Sequence, residues 1–374
     1  MTGRLSGSGR LSTRDRIIGA VDDVLAADLD ATAARLQEIS PVAAELIDPL
    51  RAFTARGKRI RALVTWWGFE IASRTPADPE ALARIAGSVE LLHAAALVHD
   101  DIIDDSDTRR GRPAVHAAFR DGHRTDVWEG DPVLFGTGAG IIAGDLCLSL
   151  SEEMYTAAGL PGLLAPEVVR RHDDFRRDVM VGQYLDIRLQ AAPVPAADIA
   201  ARAEEVLTFK SAKYSVEQPL LLGAAIGGAD GGLLEALSAF GLPLGRAFQM
   251  RDDELGVFGD PAVTGKPAGD DLRQGKKTVL VGMTLTALAE AGRDDDAAWF
   301  SARLGAADLE DAEVDRMAAL MRDSGAVAAF EDAIETRMHE ARGALEDLRT
   351  RADLHADDVE LLDFYVRTLT HRTS

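Results

Sequence analysis

The stretch Leu91–Pro113 decides the fold and reads LLHAAALVHDDIIDDSDTRRGRP. An apolar run typical of a buried helix ends in three carboxylates: Asp100, Asp101 and Asp104. Residues four apart share one face of a helix, so Asp100 and Asp104 point the same way about one turn apart. Two like charges beside an apolar segment repel each other, and a hard divalent cation would explain the arrangement. Magnesium prefers oxygen ligands and is typically held by one or two carboxylates together with substrate phosphates.

Two adjacent arginines, Arg109 and Arg110, follow the acidic residues. The planar guanidinium group suits phosphate oxygens, so the stretch indicates a magnesium–diphosphate site at the mouth of an apolar pocket. The alternative interpretation is a solvent-exposed helix end. It is disfavoured because His93 and Asp100 fall on the same face as the apolar residues that lead up to them.

A second stretch, Phe248–Thr278, repeats this chemistry and reads FQMRDDELGVFGDPAVTGKPAGDDLRQGKKT. Asp252 and Asp253 again follow an apolar run. Three lysines lie in or beyond the glycine-rich segment that comes next: Lys266, Lys276 and Lys277. One acidic pair is weak evidence, because aspartate is common on solvated faces and at helix caps. Two acidic clusters, each ending an apolar helix and each followed by basic residues, predict two halves of one site.

The composition of the 374 residues argues against several classes of function. The formal net charge of −21 disfavours nucleic acid and anionic membrane surfaces as partners, because both attract basic proteins. The lone Cys147 excludes an intrachain disulfide and makes the cytoplasm the default location. No uncharged window reaches the length of a membrane span, since the closest, Phe135–Ser151, contains Asp145. Residues 1–13 are rich in Gly and Ser and lack an apolar signal-peptide core, so a disordered tail is predicted there.

Helical periodicity dominates the rest of the chain and predicts an all-α fold. Apolar residues recur at three- and four-residue spacing in four long segments: Arg16–Leu36, Pro79–Asp104, Ala196–Gln218 and Gly232–Leu255. Abundant alanine and only 5% aromatic residues favour close-packed helices, and no segment alternates as a strand would. Gly122–Gly138 is predicted to be a long loop, either a lid over the site or an insertion without a role in it.

The chain resembles the trans-isoprenyl diphosphate synthases, the polyprenyl synthetase family, from about Arg14 to its end. Five motifs follow the family's order: GKxxR at Gly57, Lys58 and Arg61, DDxxD at Asp100, Asp101 and Asp104, Lys210–Ser211 for the family's Lys-Thr, Phe248–Gln249, and a partial second DDxxD at Asp252 and Asp253. Gly256 stands where the last aspartate of the second motif would be. We expect Asp260 or water to replace that ligand, and Gly256→Asp to leave turnover broadly intact.

The resemblance implies an isoprenoid synthase-type helical bundle around a deep central apolar cavity, with a single catalytic domain over residues 14–374. It implies a magnesium-dependent prenyltransferase that condenses isopentenyl diphosphate with an allylic prenyl diphosphate to an all-trans product. Three magnesium ions with substrate bound, a homodimer and no integral membrane segment are expected. One alternative is a class I terpene cyclase, which would need a second metal motif with Asn/Asp, Ser/Thr and Glu. Another is a non-catalytic subunit of a heteromeric synthase, which should have eroded both acidic motifs.

The resemblance also implies a role for each matching residue. Metal is expected at Asp100, Asp104 and Asp252, with Asp101 and Asp253 as further ligands or behind the ligands. The allylic diphosphate is expected at Arg109, Lys210, Ser211, Gln249 and Lys266. The isopentenyl diphosphate is expected at Lys58, Arg61, His93 and Arg110. Catalytic residues are expected to be Lys210, Arg109, Gln249, Asp100 and Asp104. Gln183 and Asp186 match family positions that face the cavity.

Product length is expected to depend on the residues just before the first acidic motif, namely Leu92, Ala95 and Ala96. Ala95 lies five residues before Asp100, about 7.5 Å along a helix axis. Family members with short products often have an aromatic ring there. Alanine leaves the path open, so a geranylgeranyl or longer product is expected, and Ala95→Phe is expected to shorten it.

Overall fold

A computed structural model describes residues 7–55, 57–109, 111–259, 268–351, 362, 363 and 366 of the chain. The chain divides into two compact units. The first comprises Met1–Val169 and Leu222–Ala229, and the second comprises Arg170–Leu221 and Asp230–Ser374. Each unit is mostly helical where it is described, which confirms the predicted all-α class.

The first unit is built from helices and one short pair of strands. Its helices are α1 (Gly7–Ile39), a 3₁₀ helix (Pro41–Leu46), α2 (Ile47–Thr54), α3 (Ile60–Ala72), α4 (Pro79–Ile103), α5 (Val115–Thr125) and α6 (Pro132–Ala157). Strands β1 (Thr108–Arg109) and β2 (Arg112–Pro113) follow α4 and are antiparallel, with Arg109 opposite Arg112.

Helix α4 is central to the first unit and carries the first acidic motif. It begins after Asp78, whose carboxylate accepts a hydrogen bond from the Glu80 amide at 3.3 Å, and Pro79 occupies the first turn. Its apolar residues pack against α1, α3 and α6. Near its C-terminal end a buried cluster joins it to α2, α5 and α6: Leu50, Ala94, Ala95, Val98, Val115, Ala143 and Cys147. This packing fixes the helix end on which the acidic residues lie.

Helix α6 begins inside the segment that the sequence predicts to be a long loop, so that prediction is wrong. The connection between α5 and α6 is only residues 126–131. The glycines that suggested a loop are packing positions. A Cβ at Gly136 would lie 2.5 Å from the carbonyl oxygen of His116, and one at Gly140 would lie 2.8 Å from the His116 Cβ. Only glycine admits so close an approach of α6 to α5.

The second unit is also helical. Its elements are most of α7 (Pro166–Ala191), α8 (Ala196–Val206), a π-helix (Leu207–Glu217), the start of α9 (Gln218–Ile226), α10 (Gly231–Phe258), α11 (Asp270–Arg273), α12 (Val279–Glu290), α13 (Asp294–Arg303), α14 (Asp311–Asp323) and α15 (Ala326–Arg349).

The π-helix is continuous with α8 and α9, so the helix predicted over Ala196–Gln218 begins at the right residue but continues to Ile226, and it changes its winding midway. π-helical turns are rare and often occur at functional sites. Helix α10 packs closely on this segment. A Cβ at Gly245 would lie 2.5 Å from the Ala212 carbonyl oxygen, so glycine is required there.

Two predictions about the chain as a whole meet the structure only in part. Helix α1 begins at Gly7, so residues 7–13 of the predicted tail are helical, and residues 1–6 lie outside the described part. The single domain over 14–374 stays a prediction.

In the described part, α4 and α6 are long and apolar enough to span a membrane by length and composition. The apolar window of α4 is 78% buried, as in a core helix, whereas that of α6 is 33% buried.

Candidate active site

The first acidic motif lies at the C-terminal end of α4. Asp100 and Asp104 are partly buried and share one face of the helix. The Asp104 amide donates to the Asp100 carbonyl oxygen at 2.8 Å and closes the last turn. Asp105 then adopts a left-handed conformation (φ 49°) as the chain leaves the helix toward β1. Asp101, by contrast, is fully buried, with 0% of its surface exposed.

Arg109 is bound to this buried carboxylate. Its Nε donates to Asp101 Oδ1 at 2.7 Å, its Nη2 makes a second contact with the same oxygen, and Nη2 lies 3.6 Å from Asp100 Oδ2. Burial raises the pKa of the Asp101 carboxyl, and the neighbouring guanidinium opposes this only in part. Burial tends to lower the pKa of Arg109, but the hydrogen bond to Asp101 and the surrounding carboxylates outweigh it and raise that pKa. A permanent positive charge is thereby held beside Asp100.

The donors at this helix end suit magnesium. Asp100 and Asp104 supply two carboxylates on one face, and Arg109 supplies hydrogen bonds for phosphate oxygens. Within the described residues, no group of three or more His, Cys, Asp or Glu side chains could hold a metal ion by itself. This fits a cation that takes one or two carboxylates and completes its shell with water and substrate phosphates. Because Asp101 is engaged by Arg109, its position favours a role behind the ligands.

The basic residues predicted to bind isopentenyl diphosphate lie in the same unit. Lys58 is exposed just before α3, and Arg61 lies in the first turn of that helix. Arg61 Nη1 is 3.1 Å from Nε2 of His93 on α4. His93 is seven residues before Asp100, about two helical turns away on the same face. The fold thus brings Arg61 of α3 against His93 of α4, the helix that carries the first acidic motif.

Arg59 anchors this basic segment, a role that sequence reasoning missed. Its backbone is left-handed (φ 51°, ψ 35°), which is uncommon for a residue other than glycine, and its side chain is only 5% exposed. The guanidinium donates to Asp22 Oδ1 at 2.8 Å, to Glu90 Oε2 at 3.3 Å and to the Thr54 carbonyl oxygen. Glu90 also accepts a hydrogen bond from the Ala62 amide at 3.3 Å. These contacts tie the segment between α2 and α3 to α1 and α4.

Lys210 and Ser211 lie in the π-helix of the second unit. Lys210 Nζ donates to Oδ2 of Asp186 on α7 at 2.6 Å. A Cβ at Gly182 would lie 2.4 Å from the Lys210 amide nitrogen, so this glycine lets α7 and the π-helix approach closely. Gln190 donates to the other Asp186 oxygen at 3.2 Å. Asp186 is therefore the group that orients the Lys210 ammonium.

The second acidic motif lies on α10, where Asp252 and Asp253 are both partly buried. Gln249 Nε2 donates to Asp253 Oδ1 at 2.8 Å. Burial, together with the charges of Asp271 and Asp252, raises the pKa of Asp253 to about 8, although Gln249 and Lys276 act in the opposite direction. Crowded and desolvated carboxylates of this kind are the chemistry that a divalent cation satisfies.

The two lysines beyond the second motif differ in their contacts. Lys277 Nζ donates to the carbonyl oxygens of Leu189 (2.8 Å), Gln190 (3.1 Å) and Ala192 (3.3 Å), and burial lowers its pKa. These carbonyls end α7 and have no partners within the helix, so Lys277 caps it. Lys276 Nζ lies 3.9 Å from Asp271 Oδ1. Only Lys276 of this pair therefore belongs to the acidic neighbourhood.

The residues expected to set product length have different surroundings. Ala95 is fully buried in the cluster that joins α4 to α2, α5 and α6, and Leu92 is 3% exposed. Ala96 is partly exposed and lies four residues before Asp100, on the face of the acidic motif. Ala95 thus has the environment of a helix–helix contact. Three further residues named from the sequence lie outside the described residues: Arg110, Asp260 and Lys266.

Comparison with known proteins agrees with the motifs. The family model described as polyprenyl synthetase matches residues 43–321. The chain belongs to the polyprenyl synthetase family. It is 34% identical over 269 residues to (2E,6E)-farnesyl diphosphate synthase of Mycobacterium bovis, covering 72% of this chain and 68% of that protein. It is 32% identical over 318 residues to geranylgeranyl diphosphate synthase of Mycobacterium tuberculosis, covering 83% and 80%.

A solved structure shows the same fold. Geranylgeranyl pyrophosphate synthase from Corynebacterium glutamicum, complexed with isoprenyl diphosphate and magnesium, is 36% identical, with a TM-score of 0.86 over 96% of this chain and 99% of that chain. These comparisons confirm the isoprenoid synthase-type helical fold and the predicted enzyme class. The chain is a prenyltransferase of a magnesium-dependent family. The roles of its individual residues stay predictions.

Proposed function

We propose that the chain condenses isopentenyl diphosphate with an allylic prenyl diphosphate and releases geranylgeranyl diphosphate or a longer all-trans homologue. One observation carries the proposal. Asp100 and Asp104 lie on one face at the end of α4 beside Arg109, and the contact between His93 and Arg61 lies on that helix two turns earlier. A metal-binding group and a second anion-binding group on one rigid helix suit a reaction between two diphosphates.

The candidate residues of each unit have their own task. Asp100 and Asp104 would hold magnesium, and Arg109, fixed by Asp101, would bind the allylic diphosphate. Lys58, Arg61 and His93 would bind isopentenyl diphosphate. In the second unit, Lys210 and Gln249 would address the allylic diphosphate, Ser211 would support Lys210, and Asp252 and Asp253 would hold further magnesium. With substrate bound, we propose three ions in total.

The chain's residues act mainly through electrostatics. Magnesium, when bound, neutralises the charge that develops on the departing diphosphate. Arg109 and Lys210 add fixed positive charges where that negative charge grows, and Asp101 and Asp186 orient them in advance. The carbon–oxygen bond would break with its electron pair on the diphosphate. The double bond of isopentenyl diphosphate would attack the allylic cation, and the departed diphosphate would take up the proton that leaves the new cation. The apolar character of α4 before the acidic motif would help to keep water from the cation.

The product length rests on the residues around Ala96. Relatives of the chain are named as farnesyl, geranylgeranyl and geranylfarnesyl diphosphate synthases. Ala96 lies on the face of Asp100 and offers no bulk against a growing tail. The missing aromatic ring at this level favours a product longer than farnesyl.

The two alternative functions fit the residues less well. A class I terpene cyclase would need a second metal motif with spaced Asn/Asp, Ser/Thr and Glu, and the second stretch has Asp252 and Asp253 instead. A non-catalytic subunit would be expected to lose its acidic motifs. Here the first motif is intact, Arg109 is oriented by the buried Asp101, and Lys210 is oriented by the partly buried Asp186.

The surface of α6 supports a homodimer. Its glycines Gly136 and Gly140 pack inward against α5, whereas several large apolar residues in its first half point outward. Leu134 is 72% exposed, Ile141 45% and Ile142 56%, and their spacing forms one stripe along the helix. Such a stripe is self-complementary about a two-fold axis. We propose that it meets the same stripe of a second copy in the cytoplasm, and Ile142→Glu should then yield a monomer by light scattering.

The experiment that tests the function uses purified protein, isopentenyl diphosphate, magnesium and, in turn, dimethylallyl, geranyl and farnesyl diphosphate, with products identified by mass. Asp100→Asn and Lys210→Ala should each lower turnover by about 10²–10³, as loss of one charge-stabilising contact typically does. Glu80→Gln, in an exposed pair with Arg84 at the other end of α4, is the matched control and should retain activity. Cyclised hydrocarbon from the allylic substrate alone would indicate a cyclase. A folded protein with no turnover would indicate a non-catalytic subunit.

A further inference from the structure

The second acidic motif has Gly256 in place of its last aspartate, and the structure shows which group lies there. A Cβ built on Gly256 would lie 2.0 Å from Oδ2 and 2.6 Å from Cγ of Asp271. Real Cβ atoms do not approach a carboxylate so closely. The carboxylate of Asp271 therefore occupies the space that a side chain at position 256 would fill.

Asp271 reaches this place from a different element. It belongs to the short helix α11, which begins after Gly269 in a left-handed conformation (φ 74°). The turn is anchored by Leu272, which is fully buried and whose carbonyl oxygen accepts from the Gly305 amide at 3.0 Å. The Asp271 carbonyl oxygen accepts from the Lys276 amide at 3.0 Å. Backbone contacts on both sides thus hold Asp271 against α10.

The place that Asp271 fills belongs to the acidic motif. On α10, position 256 lies four residues after Asp252 and three after Asp253, so all three share one face. The side chain of Asp271 is 15% exposed, and its cationic neighbour, Lys276 Nζ, stands at 3.9 Å. A third carboxylate is therefore present on this face, although the motif itself supplies only two.

We propose that Asp271 supplies the carboxylate that the second acidic motif lacks at position 256, and that Gly256 is required because it admits Asp271. The proposal rests on the proposed function, since it concerns the metal–diphosphate complex of that site. It replaces the expectation that Asp260, which lies outside the described residues, or water compensates for Gly256. It also reverses the expectation for Gly256→Asp, because the new side chain would displace Asp271 from the face it serves.

The competing interpretation is that Asp271 serves only as the ion-pair partner of Lys276. Under that interpretation, removing its charge would leave metal binding unchanged. Asp270 provides a matched control, because it is the adjacent residue in the same helix and its carboxylate accepts from Gln274 Nε2 at 3.0 Å. Asp270→Asn makes the same chemical change one residue away.

The test measures the magnesium concentration needed for half-saturation by calorimetry, with inorganic diphosphate as the probe and the full chain as the protein. Asp271→Asn should raise this concentration about 10- to 100-fold, the usual effect of losing a group that supports a metal site, whereas Asp270→Asn should not. Gly256→Ala should weaken binding similarly, because its methyl group displaces Asp271. Thermal unfolding monitored by circular dichroism checks that each variant is folded.

A double variant decides between the interpretations. Gly256→Asp/Asp271→Ala moves the carboxylate from α11 to α10 and should recover most of the magnesium affinity that Gly256→Asp and Asp271→Ala each lose. Additive losses in the double variant, or an Asp271→Asn protein that binds like Asp270→Asn, would overturn the proposal while leaving the proposed function intact. A parent protein that binds no magnesium with diphosphate and makes no prenyl product would overturn the proposed function as well.

Discussion

Replacing Glu90 by glutamine should affect both the stability of the first unit and the binding of isopentenyl diphosphate. Glu90 is 6% exposed, and its partner Arg59 is 5% exposed, so their contact at 3.3 Å is a buried ion pair. The glutamine side chain would keep the shape and could still accept from the Ala62 amide. The Arg59 guanidinium would stay buried, and its remaining carboxylate partner would be Asp22, which is 45% exposed.

The expected size follows from this burial. Removing one partner of a buried pair typically costs about 3–5 kcal/mol, because the other charge stays desolvated. Asp22 still offsets part of the charge at 2.8 Å, so the lower end of that range, about 3 kcal/mol, is expected here. For a unit of about 150–250 residues, this corresponds to a fall in melting temperature of about 6–12 °C. The exposed pair of Glu80 with Arg84 on the same helix should be worth only about 0–1 kcal/mol.

The assay compares Glu90→Gln with Glu80→Gln by thermal unfolding and by steady-state kinetics below the melting temperature. Because Arg59 fixes the segment between Lys58 and Arg61, we expect the KM for isopentenyl diphosphate to rise while the KM for the allylic substrate changes little. Arg59→Lys should also raise the KM for isopentenyl diphosphate, because lysine lacks the fork geometry of the guanidinium group. Equal melting temperatures and equal KM values in Glu90→Gln and Glu80→Gln would refute the reasoning.

Three further predictions concern other parts of the chain. Ala95→Phe should lower the free energy of unfolding by about 1–3 kcal/mol through overpacking of the buried cluster, without changing the product distribution. Ala96→Phe should shorten the product. Chromatography of the products and melting curves of both variants check this. Lys277→Met should lower the melting temperature by removing the cap of α7 while leaving the KM values near those of the parent. In metal-free protein, the pKa of Asp253 is raised to about 8. The folded state therefore binds more protons than the unfolded state between about pH 4 and 8, and the free energy of unfolding should fall as pH rises through that range. Asp253→Asn should flatten this fall, and an equally steep pH profile of the melting temperature would contradict it.

The sequence predicts helices well here because their residues are periodic and their ends are marked. Asp78 and Pro79 begin α4 where the pattern begins, and the acidic motif ends it. The long loop predicted over Gly122–Gly138 is wrong because glycine is ambiguous in a sequence. Glycine is common in loops, yet in the structure Gly136 and Gly140 lie where two helices contact each other. Their role depends on His116, which a local pattern cannot place beside them.

The residues of the site show the same division. The carboxylates Asp100 and Asp104 could be found from spacing alone, since both lie on one helix. Their supporting residues could not, because each support comes from another element. Asp186 reaches Lys210 from α7, and Glu90 reaches Arg59 from α4. A pattern of residue types predicts which side chains carry the chemistry, but the groups that orient them depend on helix packing.

The two acidic motifs gather their carboxylates by different means. In the first, one helix end supplies the carboxylates, and Arg109, held by the buried Asp101, offsets their charge. In the second, α10 supplies two carboxylates, and α11 brings the carboxylate of Asp271 against Gly256 of α10. The first motif therefore depends on the integrity of one helix and its hairpin. The second depends on a tertiary contact, so a substitution that loosens the buried Leu272 would reach its carboxylates without touching any of them.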